Sequence, residues 1–183
     1  MQTMEAKTVS TLPTIGGLHH YAYKCRDAEE TRHFYEDVLG LPLAHVMEVR
    51  DLTSTTGELV DFVHIFFKMG DGSYLAFFDL GDGKVCAKDP ETPPFTIHLA
   101  LHIDGETALQ AFVRRLEEAG VDYQGPLDQE GFCRSIYFWD PNGVRLELTY
   151  EIGTGELAAD HDAKGREILK RWTREHRALT PAE

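Results

Sequence analysis

GLHHYAYKCRDAEETRHFYEDVLG, residues 17–40, is answered later in the chain by FTIHLALHIDGETALQAFVRRLEEAG, residues 95–120. Each stretch opens as an alternating strand bearing histidine, passes an aspartate suited to capping a helix, continues at helical spacing and stops on a glycine. In the first stretch Asp27 offers its side-chain oxygen to the orphan amides of a helix, and Glu30 stands where a capping box places its glutamate. Gly40 suits the left-handed exit. Phe34, Val38 and Leu39 fall at helical spacing and should face a sheet. In the second stretch Asp104 takes the N-cap position, Leu109, Phe112, Val113 and Leu116 form the apolar stripe, and Gly120 is the stop.

Working outward, three strand-like runs follow the first helix: Leu43 to Val49, Val60 to Lys68 and Tyr74 to Asp79, with Gly70-Asp71-Gly72 as the turn between the last two. Short strands around Val121, Phe132 to Trp139 and Val144 to Tyr150 follow the second, with Asp140-Pro141-Asn142-Gly143 as the turn. The order is β-α-β-β-β twice, a repeat that decides the fold class. The chain is expected to be α+β: a first βαβββ module over residues 16–88, a second over 95–151, and a Pro-rich connection between them (Asp89-Pro90-Glu91-Thr92-Pro93-Pro94). One such module leaves a sheet face bare, so the two should pair edge to edge into a curved, half-closed mixed sheet with a concave face. Residues 1–15 form an N-terminal extension. Ile168, Leu169 and Trp172 recur at helical spacing, which predicts a C-terminal helix within 160–178, centred on Lys164 to Arg177, that covers a sheet edge or a dimer seam.

Composition narrows the partners. The 183 residues carry a formal charge of −13, and phosphate binding wants a basic face, so a nucleic-acid partner is not expected. From His161 onward six basic residues stand against four acidic ones, which makes the tail +2 and leaves −15 on the body. A mildly basic helix on an acidic body is the plain reading of that split. Cys25, Cys86 and Cys133 form no C-x-x-C pair, and an odd count with no secretory pattern predicts free thiols in a reducing cytoplasm. No stretch approaches the 18 or more apolar residues of a membrane span, so a soluble protein without a membrane partner is expected.

The duplication selects among nine histidines. His20 precedes Asp27 by seven residues and His98 precedes Asp104 by six, so the two occupy nearly equivalent places on the first strand of each copy. Side chains alternate along a strand, so His19 is expected to point opposite to His20. In the last strand, GVRLELTY, Glu147 stands between Leu146 and Leu148. A carboxylate in a strand centre is costly unless paired or metal-bound. Two imidazoles and one carboxylate are the set that holds non-haem Fe(II) or Mn(II) on one face and leaves positions open opposite. With neutral imidazoles the assembly carries about +1, which favours an anionic oxygen chelate as substrate.

The pattern H-x6-D followed by HFYEDVLGL, and later SIYFWDPNGVRLEL, resembles the vicinal oxygen chelate superfamily of glyoxalase I, methylmalonyl-CoA epimerase, fosfomycin and bleomycin resistance proteins and extradiol ring-cleaving dioxygenases. The resemblance covers about residues 16 to 151 and places His20, His98 and Glu147 on the metal-ligand positions. Glyoxalase I and the epimerase draw a fourth ligand, Glu or Gln, from the last strand of the first copy. Superimposing Gly72 on Gly143 puts Ala76 opposite Glu147, and a shift by one gives Leu75 or Phe77, none of which binds metal. Three protein ligands with an apolar fourth wall resemble the extradiol enzymes, whose iron holds both catecholate oxygens and O2.

Tyr137 stands where those enzymes have a tyrosine that hydrogen-bonds substrate. Their acid/base histidine, expected near Ser73, is missing, and His64 on the preceding strand or His102, on the strand face of His98, is the substitute. Phe62, Phe66, Phe67, Phe77, Phe78, Phe132, Phe138 and Trp139 include enough rings to line an apolar pocket for an aromatic substrate. The resemblance thus implies an Fe(II)- or Mn(II)-dependent dioxygenase of a catechol-like aromatic diol with O2, working as a homodimer. Two other activities fit the same fold: a glyoxalase- or epimerase-type lyase or isomerase, and a drug-binding resistance protein.

Overall fold

The computed structural model describes residues 15–87, 90–129, 131–153 and 160–177, with side chains of the last stretch described from 164 onward. The expected N-terminal extension lies outside them except for Ile15, as do Lys88 and Asp89 in the connection. The chain divides into two compact units, Met1–Lys88 and Asp89–Glu183. The fold is α+β, with one four-stranded mixed sheet in each unit.

In the first unit the strands are β1 (His20–Cys25), β2 (Leu43–Thr53), β3 (Leu59–Lys68) and β4 (Tyr74–Asp79). They lie in the order β1-β4-β3-β2, with β1 parallel to β4 and the other pairs antiparallel. Helix α1 (Ala28–Arg32) continues into a π-helical turn, His33–Val38. The straight α-helix expected up to Gly40 is therefore wider at its end: Leu39 N–H reaches back to the Phe34 carbonyl at 3.0 Å, five residues earlier. Phe34, Tyr35 and Leu39 all become buried, together with Phe67, Leu75 and Phe77 from the sheet. Tyr35, not expected from the apolar spacing, sits with its ring 4.8 Å from that of Phe77 and 5.3 Å from that of Phe67.

Asp27 caps α1 as expected, its Oδ1 accepting from Glu30 N–H at 2.7 Å. Glu30 does not complete the reciprocal capping box, because Arg26 takes its carboxylate through both Nε and Nη2. Asp27→Ala is expected to cost about 1 kcal/mol of stability, read as a fall in the urea midpoint at unchanged slope.

The second unit repeats the plan with β5 (Leu99–His102), α2 (Gly105–Glu118), β6 (Tyr123–Gln129), β7 (Cys133–Trp139) and β8 (Arg145–Glu151) in the order β5-β8-β7-β6. Leu109, Val113 and Leu116 of α2 pack on the sheet side of Ile136, Phe138, Leu146 and Leu148, all buried. The expected N-cap bond from Asp104 is not made. The helix ends as expected at Gly120, whose φ of 67° is the left-handed exit. Strand β5 is shorter than the apolar alternation predicts, because Pro94–Thr96 winds into a 3-10 turn first. His98 therefore precedes the strand instead of lying within it.

A terminal helix α3 (Asp160–Arg177) is present, and its Ile168, Leu169 and Trp172 are all more than half exposed in the single chain. The three cysteines are free thiols; burial pushes that of Cys25 up to about 11. No helix among the described residues is long and apolar enough to cross a membrane.

Candidate metal-binding site

Strand register defines what each unit presents. In the second unit Ala100 of β5 lies opposite Glu147 of β8, and Tyr137 of β7 opposite Glu147 from the other side. Parity along the strands puts Tyr137, Glu147 and His102 on one face, with Leu146 and Leu148 turned to the helix. The Glu147 carboxylate is nearly buried, its side chain 8% exposed. Its Oε1 accepts from the Tyr137 hydroxyl at 2.9 Å, and that hydroxyl accepts from Gln129 Nε2 at 3.1 Å. Burial, then the bond to Glu147, pushes the Tyr137 phenol above its usual range. Arg145 lies over the same ring, 4.6 Å from its centroid.

The other carboxylate oxygen, Oε2, stands 2.9 Å from His98 Nε2. His98 Nδ1 lies 3.1 Å from the Phe95 carbonyl, which can only accept, so Nδ1 carries the ring proton. Nε2 then meets Oε2 either as a second ring N–H in an ion pair or, with that proton absent, as one of two electron-pair donors that a cation can share. An imidazole nitrogen beside a carboxylate oxygen is a donor pair that divalent ions take. His98 and Glu147 are brought together in this unit, with Tyr137 beside them.

His102 shares the strand face but is turned to solvent, 3.3 Å from Glu151 and 60% exposed. Its carboxylate partner is therefore Glu151 rather than Glu147.

In the first unit the same register recurs: Ala22 of β1 lies opposite Ala76 of β4, as Ala100 lies opposite Glu147. His20 and His98 each precede that alanine by two residues. Counting from the helix caps leaves them one residue out of step, and the register removes the discrepancy. Ala76 occupies the place of Glu147 and offers no donor, in keeping with the superposition of the two glycine turns.

His20 shares its face with His64, ring centroids 6.5 Å apart, and with Phe66 at 5.8 Å. His64 is buried, stacked on Phe78 at 3.6 Å and close to Phe66 at 4.1 Å. Its Nε2 is fully enclosed and has no hydrogen-bond partner among the described residues. Burial first, then the neighbouring His20 and His45, hold its pKa below the ordinary histidine value.

His19 does not point away from His20. Strand alternation fails because His19 lies just ahead of β1, and the two Nδ1 atoms approach to 2.7 Å. Of the expected aromatic set, Phe62, Phe66 and Phe78 share the His64 face by register, whereas Phe67, Phe77 and Phe138 are core. Phe132 and Trp139 are exposed.

Taken by itself, neither unit gathers three histidine, cysteine, aspartate or glutamate side chains for a metal among the described residues. The first presents His20 and His64, and the second His98 and Glu147. Sequence reasoning missed His19, Gln129 and the Phe95 carbonyl. The adjacent pair His19-His20 was the visible signal for the first; the others depend on loop and turn geometry with no mark in the residue pattern.

Comparison with known proteins agrees with this architecture. Residues 17–148 match the family model described as Glyoxalase/Bleomycin resistance protein/Dioxygenase superfamily. The chain is 26% identical over 144 residues to Glyoxylase I 4 of Arabidopsis thaliana, covering 73% of this chain and 70% of that protein. It is 29% identical over 163 residues to the Bacillus subtilis (strain 168) protein named "Putative ring-cleaving dioxygenase MhqA", covering 82% of this chain but only 42% of that protein. Among solved structures, the fosfomycin resistance protein FosX from Listeria monocytogenes, complexed with Mn(II) and 1S,2S-dihydroxypropylphosphonic acid, superimposes with a TM-score of 0.53 at 21% identity, over 77% of this chain and 95% of that one. That likeness is one of fold. Proteins of this architecture thus include one that carries a divalent metal.

Proposed function

The chain belongs to the glyoxalase/bleomycin resistance protein/dioxygenase superfamily, and we propose that within it the protein is a metal-dependent dioxygenase of the extradiol type, acting on a catechol-like aromatic with O2. His20, His98 and Glu147 would hold the metal, Fe(II) by preference and Mn(II) as the alternative. The observation that carries the reading is the pairing of His98 Nε2 with Glu147 Oε2 at 2.9 Å, together with Ala76 at the matching place in the first repeat. Three protein ligands and an apolar fourth position leave room for two substrate oxygens and O2. Once bound, Fe(II) would supply a redox centre at which a catecholate and O2 can meet.

The remaining residues have separable tasks. Tyr137 holds the Glu147 carboxylate through Oε1, leaving Oε2 turned to His98. His64, its ring 6.5 Å from that of His20, would take a proton from a substrate hydroxyl once its enclosed Nε2 is uncovered. Phe62, Phe66 and Phe78 offer ring faces to an aromatic substrate and keep water from that face. His102, exposed and paired with Glu151, can accept a proton at the rim.

The test is direct: anaerobic mixing with a catechol followed by air should give a yellow ring-fission product, absent in His98→Ala. Colourless mixtures across a broad panel of aromatic diols would overturn the reading.

The likeness to Glyoxylase I 4 supports a second reading, a lyase or isomerase using the same three residues. Metal analysis returning nickel or cobalt held by four protein ligands would favour it over the dioxygenase.

A further inference from the structure

Each candidate ligand has a hydrogen-bond partner of a different kind on the atom not assigned to a metal. His98 Nδ1 faces the Phe95 carbonyl at 3.1 Å. Glu147 Oε1 takes the Tyr137 hydroxyl at 2.9 Å. The Nδ1 of His20 lies 2.7 Å from a side chain, that of His19, with the two rings edge to face and their centroids 5.0 Å apart.

Two neutral imidazoles joined through their Nδ1 atoms share one proton on that line, so one ring donates and the other accepts. His19 is fixed as a partner before the metal question arises. Its carbonyl accepts from Tyr74 N–H at 3.0 Å, and its ring lies 6.0 Å from that of Tyr74.

We propose that His19 is the positioning residue for His20, accepting the proton of His20 Nδ1 and so leaving the Nε2 lone pair of His20 as the metal donor. The inference rests on the metal reading given above, but the tautomer it requires is a property of the metal-free protein. His19 must then carry its own proton on Nε2. The nitrogen free for a metal is set by the hydrogen bond the other nitrogen makes. A carbonyl can serve only as acceptor and therefore dictates one tautomer. An imidazole can serve either way, so the first unit achieves with an adjustable partner what the second achieves with a fixed one.

Two measurements on the full chain test this. Long-range nitrogen–proton correlation of the imidazoles at pH 8, in metal-stripped protein, should show His20 protonated on Nδ1 and His19 on Nε2. In His19→Ala the His20 signal should change to a mixture or to the Nε2 form. Mn(II) titration followed by loss of the free-ion electron paramagnetic resonance signal should show affinity reduced about 10–100-fold in His19→Ala. His19→Asn, whose amide oxygen can accept from His20 Nδ1, should recover part of it.

An unchanged His20 tautomer in His19→Ala, or Mn(II) affinity equal to that of the unaltered chain, would overturn the role assigned to His19 while leaving the metal reading intact. If the unaltered chain takes up no Mn(II), the metal reading fails instead, and the nitrogen correlation still decides whether His19 sets the His20 tautomer.

Discussion

Glu147→Ala is expected to strip the protein of its metal and of all turnover, an effect larger than the roughly 10–100-fold that loss of an outer hydrogen-bond partner costs. The carboxylate is nearly buried, and each oxygen has a neighbour: Oε1 the Tyr137 hydroxyl at 2.9 Å and Oε2 the His98 Nε2 at 2.9 Å. Truncation removes the negative charge that a cation at this site would need and leaves the Tyr137 hydroxyl without its acceptor. Glu147→Gln separates the two consequences, since an amide keeps an oxygen for Tyr137 but loses the charge. Metal content by elemental analysis should fall in both variants, while thermal stability should fall more in Glu147→Ala. Full metal retention in Glu147→Ala would remove Glu147 from the ligand set.

His64→Leu carries an expected effect of opposite sign on stability and activity. An enclosed nitrogen without a partner costs about 1–3 kcal/mol, so an aliphatic side chain of similar volume between Phe66 and Phe78 should raise the melting temperature. Turnover should drop by about 10²–10⁴ if this imidazole moves the substrate proton, with metal content unchanged. Acid adds a second readout. Burial, His20 and His45 disfavour the imidazolium in the folded chain, so the unfolded chain binds the proton more readily. Stability of the unaltered protein is then complete above the unfolded value of about 6.5 and declines as pH falls below it. His64→Leu should flatten that decline. A variant that is less stable, equally acid-sensitive and fully active would show that His64 is a packing residue.

Most of the fold was legible because alternation and glycine placement are local signals. Tyr74 to Asp79 was read with its observed bounds, and Gly40 and Gly120 stop their helices for the reason that makes glycine suit a positive φ. What escaped depends on choices made elsewhere in the structure. The π turn after Arg32 follows from seating Phe34, Tyr35 and Leu39 together against Phe67 and Phe77, which the 3.6-residue period does not encode. Asp104 has the residue type of a cap without the backbone conformation for one. Apolar spacing on α3 says which residues share a side of a helix, and it does not say which surface, of this chain or of a second copy, meets them.

The candidate site divided along the same line. The proximity of His98, Glu147 and Tyr137 was legible because a repeat marks matching places and a buried carboxylate is conspicuous among leucines. The orientation of His19 was not, because a residue just outside a strand escapes its parity. His102 was assigned by strand face alone, which holds, but the nearer carboxylate at Glu151 claims it.

The alternation of Ala22 and Ala76 in one half with Ala100 and Glu147 in the other bears on how such a scaffold can change its chemistry. Main-chain hydrogen bonds fix which residues face one another, and they are indifferent to whether a methyl or a carboxylate projects from that place. A duplicated chain can therefore revise the number of electron-pair donors it contributes by exchanging one side chain, without disturbing any strand, so that reaction type becomes a variable nearly independent of the framework that carries it.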